Sequence, residues 1–319
     1  MLELPFFIEL KNARNILLAG AGGGFDIFSG LPLYFGLKDA GKTVHLANLS
    51  FSTLPPPEAS KEPRLSAALC RVVAETPTAE TYFPELWLAR WFQEQGNETP
   101  IYCFERTGAK PLLAGYRALV EHLSLDTVIL IDGGTDSLMR GDESGLGTPQ
   151  EDIASIAAVN ELAVERKFLA CLGFGVDFFH GVRHADFMEA VAELTRNQGY
   201  LGSFSLLEEM PEVQSFRKAT ESVFRAMPHD ISIVCSSILS ALSGHYGNHQ
   251  ATSRTWGSEL WINPLMPVYW CFRLAAVARR ILYLEAMRGT ETYDDVQSAI
   301  RKFRGTCSPR LSQAIHGWK

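Results

Sequence analysis

The stretch Asn15-Ile-Leu-Leu-Ala-Gly20, running without a break into Ala21-Gly-Gly-Gly-Phe-Asp26, decides the fold of this chain. A short apolar run closed by glycine suits a strand buried on both faces, as in a parallel sheet. A helix is predicted over 29–40, with Pro32 tolerated in its first turn and Gly41 as its stop. Thr43-Val-His-Leu-Ala-Asn-Leu49 is then a second strand. The three pieces make a βαβ unit, which favours a right-handed crossover and a parallel sheet.

Strands of the same kind recur at Pro100-Ile-Tyr-Cys-Phe104, Asp126-Thr-Val-Ile-Leu-Ile-Asp132 and Lys167-Phe-Leu-Ala-Cys-Leu-Gly173. Thr148-Pro-Gln-Glu151 has the form of a capping box with Pro149 at the first helical position, opening a helix that runs through 165. The apolar run 230–242 is a strand followed by a helix, or mostly helix; periodicity does not decide between them. The last third is more helical. Over 209–227, Val213, Phe216, Ala219, Val223 and Phe224 form one stripe, and over 292–303 Val296, Ala299, Ile300 and Phe303 face inward. Segment 51–64, with Pro55-Pro-Pro57, is a long loop after the second strand, either lying over a ligand site or connecting elements on the surface. The expected architecture is α/β: a doubly wound, mainly parallel, Rossmann-like sheet. Residues 1–205 would form a core with glycine- and aspartate-rich strand-end loops, and residues 206–319 a mainly helical part completing or lidding it.

Composition excludes several classes. The 319 residues are 46% hydrophobic and carry a formal charge of −7, with no lysine or arginine cluster, so a general nucleic-acid binder is disfavoured. The six cysteines include no C-x-x-C pair, and Cys103, Cys171 and Cys235 lie in apolar runs where the residue behaves as a small hydrophobe. The start carries Glu3, Pro5 and Glu9 and has no basic segment, unlike a signal peptide. The apolar run 265–276 contains Pro267 and Arg273 and is too short for a bilayer. A cytoplasmic location is expected, and assembly into a homo-oligomer is left open.

Four loops carry candidate chemistry. In the first, Gly20, Gly22, Gly23 and Gly24 follow a strand and precede a helix, an arrangement that lets backbone amides approach an anionic or nucleotide-like ligand. No NAD, FAD or P-loop fingerprint is complete. Phe25 stands where the third glycine of G-x-G-x-x-G belongs, Asn48 where the ribose-binding acid belongs, and no G-K-[ST] occurs. Asp26 either holds a cation or ribose hydroxyls, or caps the helix. In the second loop, Asp132-Gly133-Gly134-Thr-Asp136 begins where an apolar strand stops, and closely spaced acids suit Mg2+ or Ca2+. Asp132 and Asp136 are the candidate metal ligands and catalytic acids, whereas Asp142 and Glu143 fit a solvated loop. The third loop, Gly173-Phe-Gly175-Val-Asp177, ends the next strand in the same style, with Asp177 as a candidate acid/base and His180 and His184 following. The fourth, Gly244-His245-Tyr-Gly-Asn-His249, is followed by Arg254, and His245 and Arg254 are candidate ligand contacts from the helical third. The glutamate of a zincin and the G-x-S-x-G elbow are both missing.

Together these stretches resemble an uncharacterised prokaryotic family catalogued as domain of unknown function 1152. The residues carrying the likeness are Gly20 to Asp26 with Gly30-Leu-Pro32, Asp132-Gly-Gly-Thr-Asp136, Leu146-Gly-Thr-Pro-Gln-Glu-Asp152, and Gly173 through Asp177. Phe25 departs from the small residue usual after Gly24. The likeness implies a pocket lined by glycine and aspartate and no particular activity. From the residues themselves the leading expectation is an enzyme that hydrolyses, or transfers a group from, a nucleotide, nucleoside or phosphorylated metabolite, with Asp26, Asp132 and Asp136 holding either ribose hydroxyls or a divalent cation. The alternative is a non-catalytic nucleotide-binding sensor.

Overall fold

The computed structural model describes residues 2–56 and 64–310. The strands are β1 (Asn15–Gly20), β2 (Thr43–Leu49), β3 (Leu69–Val72), β4 (Ile101–Phe104), β5 (Thr127–Asp132), β6 (Arg166–Cys171), β7 (Tyr200–Ser205), β8 (Gly247–Asn248), β9 (Trp261–Ile262) and β10 (Val268–Arg273). The helices are α1 (Pro5–Leu10), α2 (Asp26–Ser29), α3 (Leu31–Asp39), α4 (Pro84–Glu94), α5 (Ala109–Leu123) and α6 (Gln150–Asn160). They continue with α7 (His184–Arg196), α8 (Pro211–Ala226), α9 (Ile233–Leu242), α10 (Leu274–Arg280), α11 (Leu284–Met287) and α12 (Tyr293–Thr306).

Eight strands form one mixed, mostly parallel sheet in the order β3-β4-β2-β1-β5-β6-β10-β7. β4, β2, β1, β5 and β6 are parallel; β3 runs antiparallel to β4, and β10 antiparallel to both its neighbours. β8 and β9 form a separate two-stranded ribbon. The fold is α/β, as the alternation of apolar runs and helical stretches requires. β1 sits at the centre because Leu17 and Ala19 face one layer while Ile16 and Leu18 face the other, all fully buried. The first layer is built by α5, α6, α7, α10, α11 and α12. The second is built by α1, α2, α3, α4, α8 and α9. Among the described residues no helix is long and apolar enough to cross a membrane.

The open run 230–242 is helical: α9 begins after Ser232, whose side chain accepts from the Cys235 amide at 3.1 Å, and Cys235, Ile238 and Leu239 are buried at helical spacing. Two expectations around α6 need correction. Thr148 does not cap it; its amide donates to Asp136 at 2.8 Å, and Pro149 occupies the N-cap position. The helix also stops at Asn160, short of 165, because the chain turns there to enter β6. α12 opens on a capping box, in which Thr292 and Asp295 each accept from the other's amide. Residues 57–63, the rest of the proline-rich segment, lie outside the described residues.

The C-terminal part contributes more than helices. β10 lies between β6 and β7 and bonds to both, so Phe272 and Cys271 reach the two apolar layers from inside the sheet. A chain ending at residue 205 would leave β7 without its neighbour and expose the face that α8 and α9 cover. Such a fragment is expected to show no cooperative thermal unfolding transition, whereas the full chain shows one. A fragment 1–205 that melts cooperatively would show that the sheet is complete without β10.

Candidate functional site

The winding of the sheet sets the place of the site. From β1 the chain fills the β2 and β4 side first, then crosses to β5 and β6 on the other side. The reversal between β1 and β5 opens a crevice at their carboxyl ends, the position where open α/β sheets hold ligands. The loops that leave β1, β5 and β6 all emerge at this edge because those strands are parallel.

Five aspartates meet there: Asp26 after β1, Asp132 at the end of β5, Asp136 in the loop beyond it, Asp152 in the first turn of α6, and Asp177 after β6. One carboxylate oxygen each of Asp26, Asp132 and Asp152 can be chosen so that all lie within 4.8 Å of one another. Asp132, Asp136 and Asp152 are 2%, 5% and 4% exposed, so solvent screens them little. Burial is the first cause holding all five carboxyls above their ordinary range, and repulsion between them adds to it for Asp26, Asp132, Asp152 and Asp177.

The surrounding loops hold each acid. Asp26 accepts from the Gly22 and Gly23 amides at 2.6 and 3.2 Å. Asp132 accepts from the Ser137 amide at 3.3 Å and from the Ser137 hydroxyl. Asp136 accepts from the Thr148 amide at 2.8 Å, and Asp177 from the Thr135 amide at 2.7 Å. Asp152 differs: its Oδ1 is buried and has no hydrogen-bond partner among the described residues.

The glycines make room for these carboxylates. A Cβ on Gly22 would lie 2.7 Å from an Asp26 oxygen and 3.0 Å from one of Asp152. On Gly133 it would meet Asp26 at 2.8 Å, and on Gly134 Asp177 at 2.6 Å. The expected cradle of free amides meets a different arrangement. The Gly22 and Gly23 amides are taken by Asp26, that of Gly24 by Leu49 O at 3.0 Å, and that of Ala21 by Ile131 O at 2.7 Å. Asp26 therefore braces the loop that precedes it, and the helix-cap reading does not hold, since α2 has Phe25 at its N-cap with no side-chain bond. Phe25 is buried against Phe28 and Phe224 and pins the loop to the core.

Below the loop, Asn48 donates to Gly24 O at 2.7 Å and to Glu85 Oε1 at 2.8 Å. A side chain at Gly20 would strike Asn48. The residue at the end of β2 thus supports the loop from inside. Phe51 packs against Gly24, so the described start of segment 51–64 borders the site.

The remaining candidates are engaged elsewhere. His245 stacks on His249 with centroids 3.9 Å apart, and Arg254 donates to Ile231 O at 2.9 Å. Gly175 adjoins His184, which stacks on Phe174 at 4.9 Å. His180 lies close enough to the cluster to favour the ionised form of Asp136, against its burial. Asp142 and Glu143, read as a solvated pair, instead bind Arg310, and Glu143 is fully buried.

Asp152 is the acid that sequence reasoning missed as a site residue. In the first turn of a helix an acid reads as a complement to the helix dipole, which hides a second role. Its one signal is position, directly after a strand-end loop already rich in acids.

Residues 66–308 match the family model described as a protein of unknown function (DUF1152). The chain belongs to this family. The matched stretch contains Asp132, Asp136, Asp152 and Asp177, while Asp26 and the glycine loop precede it. No curated protein and no solved structure matches the chain.

Two outcomes follow for stability. Removing the charge of Asp152 relieves a buried carboxylate oxygen without a partner, so Asp152→Asn is expected to raise the melting temperature of the cation-free protein by about 2 °C or more, roughly 1 kcal/mol. A fall would mean that the charge is compensated within the chain. Burial raises the Glu85 carboxyl from its ordinary 4.5 to about 7, against the bonds from Asn48 and Ser50. A carboxyl raised on folding binds more protons folded than unfolded, so it weakens the fold progressively as pH climbs through that interval, by about 3 kcal/mol at its end. Glu85→Gln keeps the acceptor for Asn48. Urea unfolding should therefore show no gain near pH 4.5 and a gain of up to about 3 kcal/mol near pH 8. Equal gains at both values would refute a buried, protonated Glu85.

Proposed function

We propose that this chain is a divalent-cation-dependent enzyme that hydrolyses, or transfers a group from, a nucleotide-like or phosphorylated small metabolite. The observation that carries the reading is the Asp26, Asp132 and Asp152 triad at the winding reversal, with Asp152 Oδ1 buried and unpartnered. Hard cations of the Mg2+ or Ca2+ kind take several carboxylate oxygens, and three acids from separate loops of a rigid sheet supply them in fixed positions. Protein hydrogen bonds already occupy Asp26 Oδ2 and Asp132 Oδ2, which leaves each carboxylate a second oxygen to turn to a cation.

A cation held by Asp26, Asp132 and Asp152 would supply polarisation of a phosphoryl or sugar oxygen and a lowered pKa for a bound water. Asp177, fixed by the Thr135 amide, stands beside Gly134 as the acid/base, and Asp136, fixed by Thr148, orients the nucleophile or the leaving group. Glycines at positions 22, 133 and 134 keep the space over the acids free of side chains. No nicotinamide fingerprint accompanies the loop, and Asn48 is turned to Gly24 and Glu85, so hydrolysis or transfer fits better than redox chemistry.

The expected outcome is twofold. Mg2+, Ca2+ or Mn2+ at 100 times its dissociation constant should stabilise the wild type by about 2.7 kcal/mol, near 4 °C for a chain of this size. Asp132→Asn should abolish that shift. Turnover of a panel of nucleotides, nucleosides and sugar phosphates should vanish with chelator and return with the cation. A wild type whose melting temperature ignores all three ions would refute the cation site. A cation shift with retained ligand and no turnover would make the chain a binding protein.

A further inference from the structure

A cationic stack stands on the same edge of the sheet. Arg106 lies two residues beyond β4 and Phe51 two residues beyond β2, parallel strands whose carboxyl ends share the edge with β1 and β5. The Arg106 guanidinium carbon is 4.1 Å from the centroid of Tyr293 and 5.1 Å from that of Phe51. Its Nε donates to Glu151 Oε1 at 2.8 Å, and its Nη2 to the Tyr293 hydroxyl at 3.1 Å. Glu151 immediately precedes Asp152 of the triad in the first turn of α6. Among the described residues Nη1 has no protein partner, and the Arg106 side chain is 47% exposed.

We propose that Arg106 receives the phosphoryl group of the substrate, beside the cation held by Asp26, Asp132 and Asp152. The inference rests on the cation-site reading and narrows the substrate to a phosphorylated one. An ordinary surface arginine must give up rotamer freedom to bind an anion. Two rings, Glu151 and Tyr293 fix this one beforehand, so a free pair of N–H donors is presented at little further entropic cost. Charge points the same way. Three carboxylates outweigh one divalent cation, so a phosphate reaching the cation needs another positive partner, and a planar fork suits phosphate oxygens. A neutral sugar diol needs no such partner. Phe51 also packs against Gly24, which places the stack beside the glycine loop and not on a remote surface.

The test is isothermal titration calorimetry on the full chain, with Mg2+ alone, then with inorganic phosphate and pyrophosphate at saturating Mg2+, and with ribose as the neutral control. The wild type should bind Mg2+, then phosphate or pyrophosphate in preference to ribose. Arg106→Ala should bind Mg2+ as before and lose phosphate affinity about tenfold or more, as removal of a charged hydrogen bond does. Arg106→Lys, which keeps the charge without the fork, covers the case of a misfolded alanine variant and should also bind phosphate more weakly with Mg2+ affinity unchanged. Phosphate affinity unaltered in a folded variant, or ribose bound in place of phosphate, overturns this inference and leaves the cation site standing. A wild type that binds no Mg2+ overturns both.

Discussion

Repulsion among closely packed carboxylates, Asp132 and Asp152 buried and Asp26 half-buried, is the constraint around which this structure is arranged. Two like charges 4.8 Å apart in the effective dielectric of a protein repel by about 3 kcal/mol, and Asp26, Asp132 and Asp152 contain three such pairs at that separation or less. A hydrogen bond to a charged group returns about 1.5–3 kcal/mol. The amides of Gly22, Gly23 and Ser137 therefore offset part of the cost, and Asp152 Oδ1 receives none of it. Protons or a cation must supply the rest. The proposed function takes the cation.

The fold bears this local cost because its core is extensive on both sides of the sheet. Buried residues of β1, β5 and β6 alternate between two apolar layers, and β10 ties the later helices into the same sheet. Parallel strands then do the positioning. They deliver Asp26, Asp132, Asp136 and Asp177 to one edge from loops far apart in sequence, and the first turn of α6 adds Asp152. The rim around this edge carries exposed aromatic side chains, among them Phe51 and Phe178.

Much of this was legible in the sequence, for physical reasons that also explain what was not. Apolar runs such as 126–132 announce strands buried on both faces, and the acids that end them announce the edge where ligands bind. β7 and β10 were not visible. Tyr200-Leu-Gly-Ser-Phe-Ser205 mixes small and polar residues in a strand at the end of the sheet, and Val268 to Arg273 merges with the apolar helix α10 that follows. The Thr148 box failed because a nearby buried aspartate competes for the same amide and hydroxyl, a tertiary effect that no local pattern contains. The glycine loop does reach the carboxyl edge of the sheet, but without the cradle of free amides that its composition suggests. Gly22 makes room for carboxylates, Gly20 for Asn48, Gly23 for Leu49 and Gly24 for Phe51, and the amides are spent on Asp26 and on the neighbouring strands.

Whether three of these aspartates together hold one cation is tested most directly by anomalous diffraction from crystals soaked in millimolar Mn2+. A single strong peak bounded by Asp26, Asp132 and Asp152 is expected, with a ligand distance to each carboxylate of about 2.1 Å, as for a small hard divalent ion. Manganese found only at other surface carboxylates, with this position empty in crystals that hold the ion elsewhere, would contradict it.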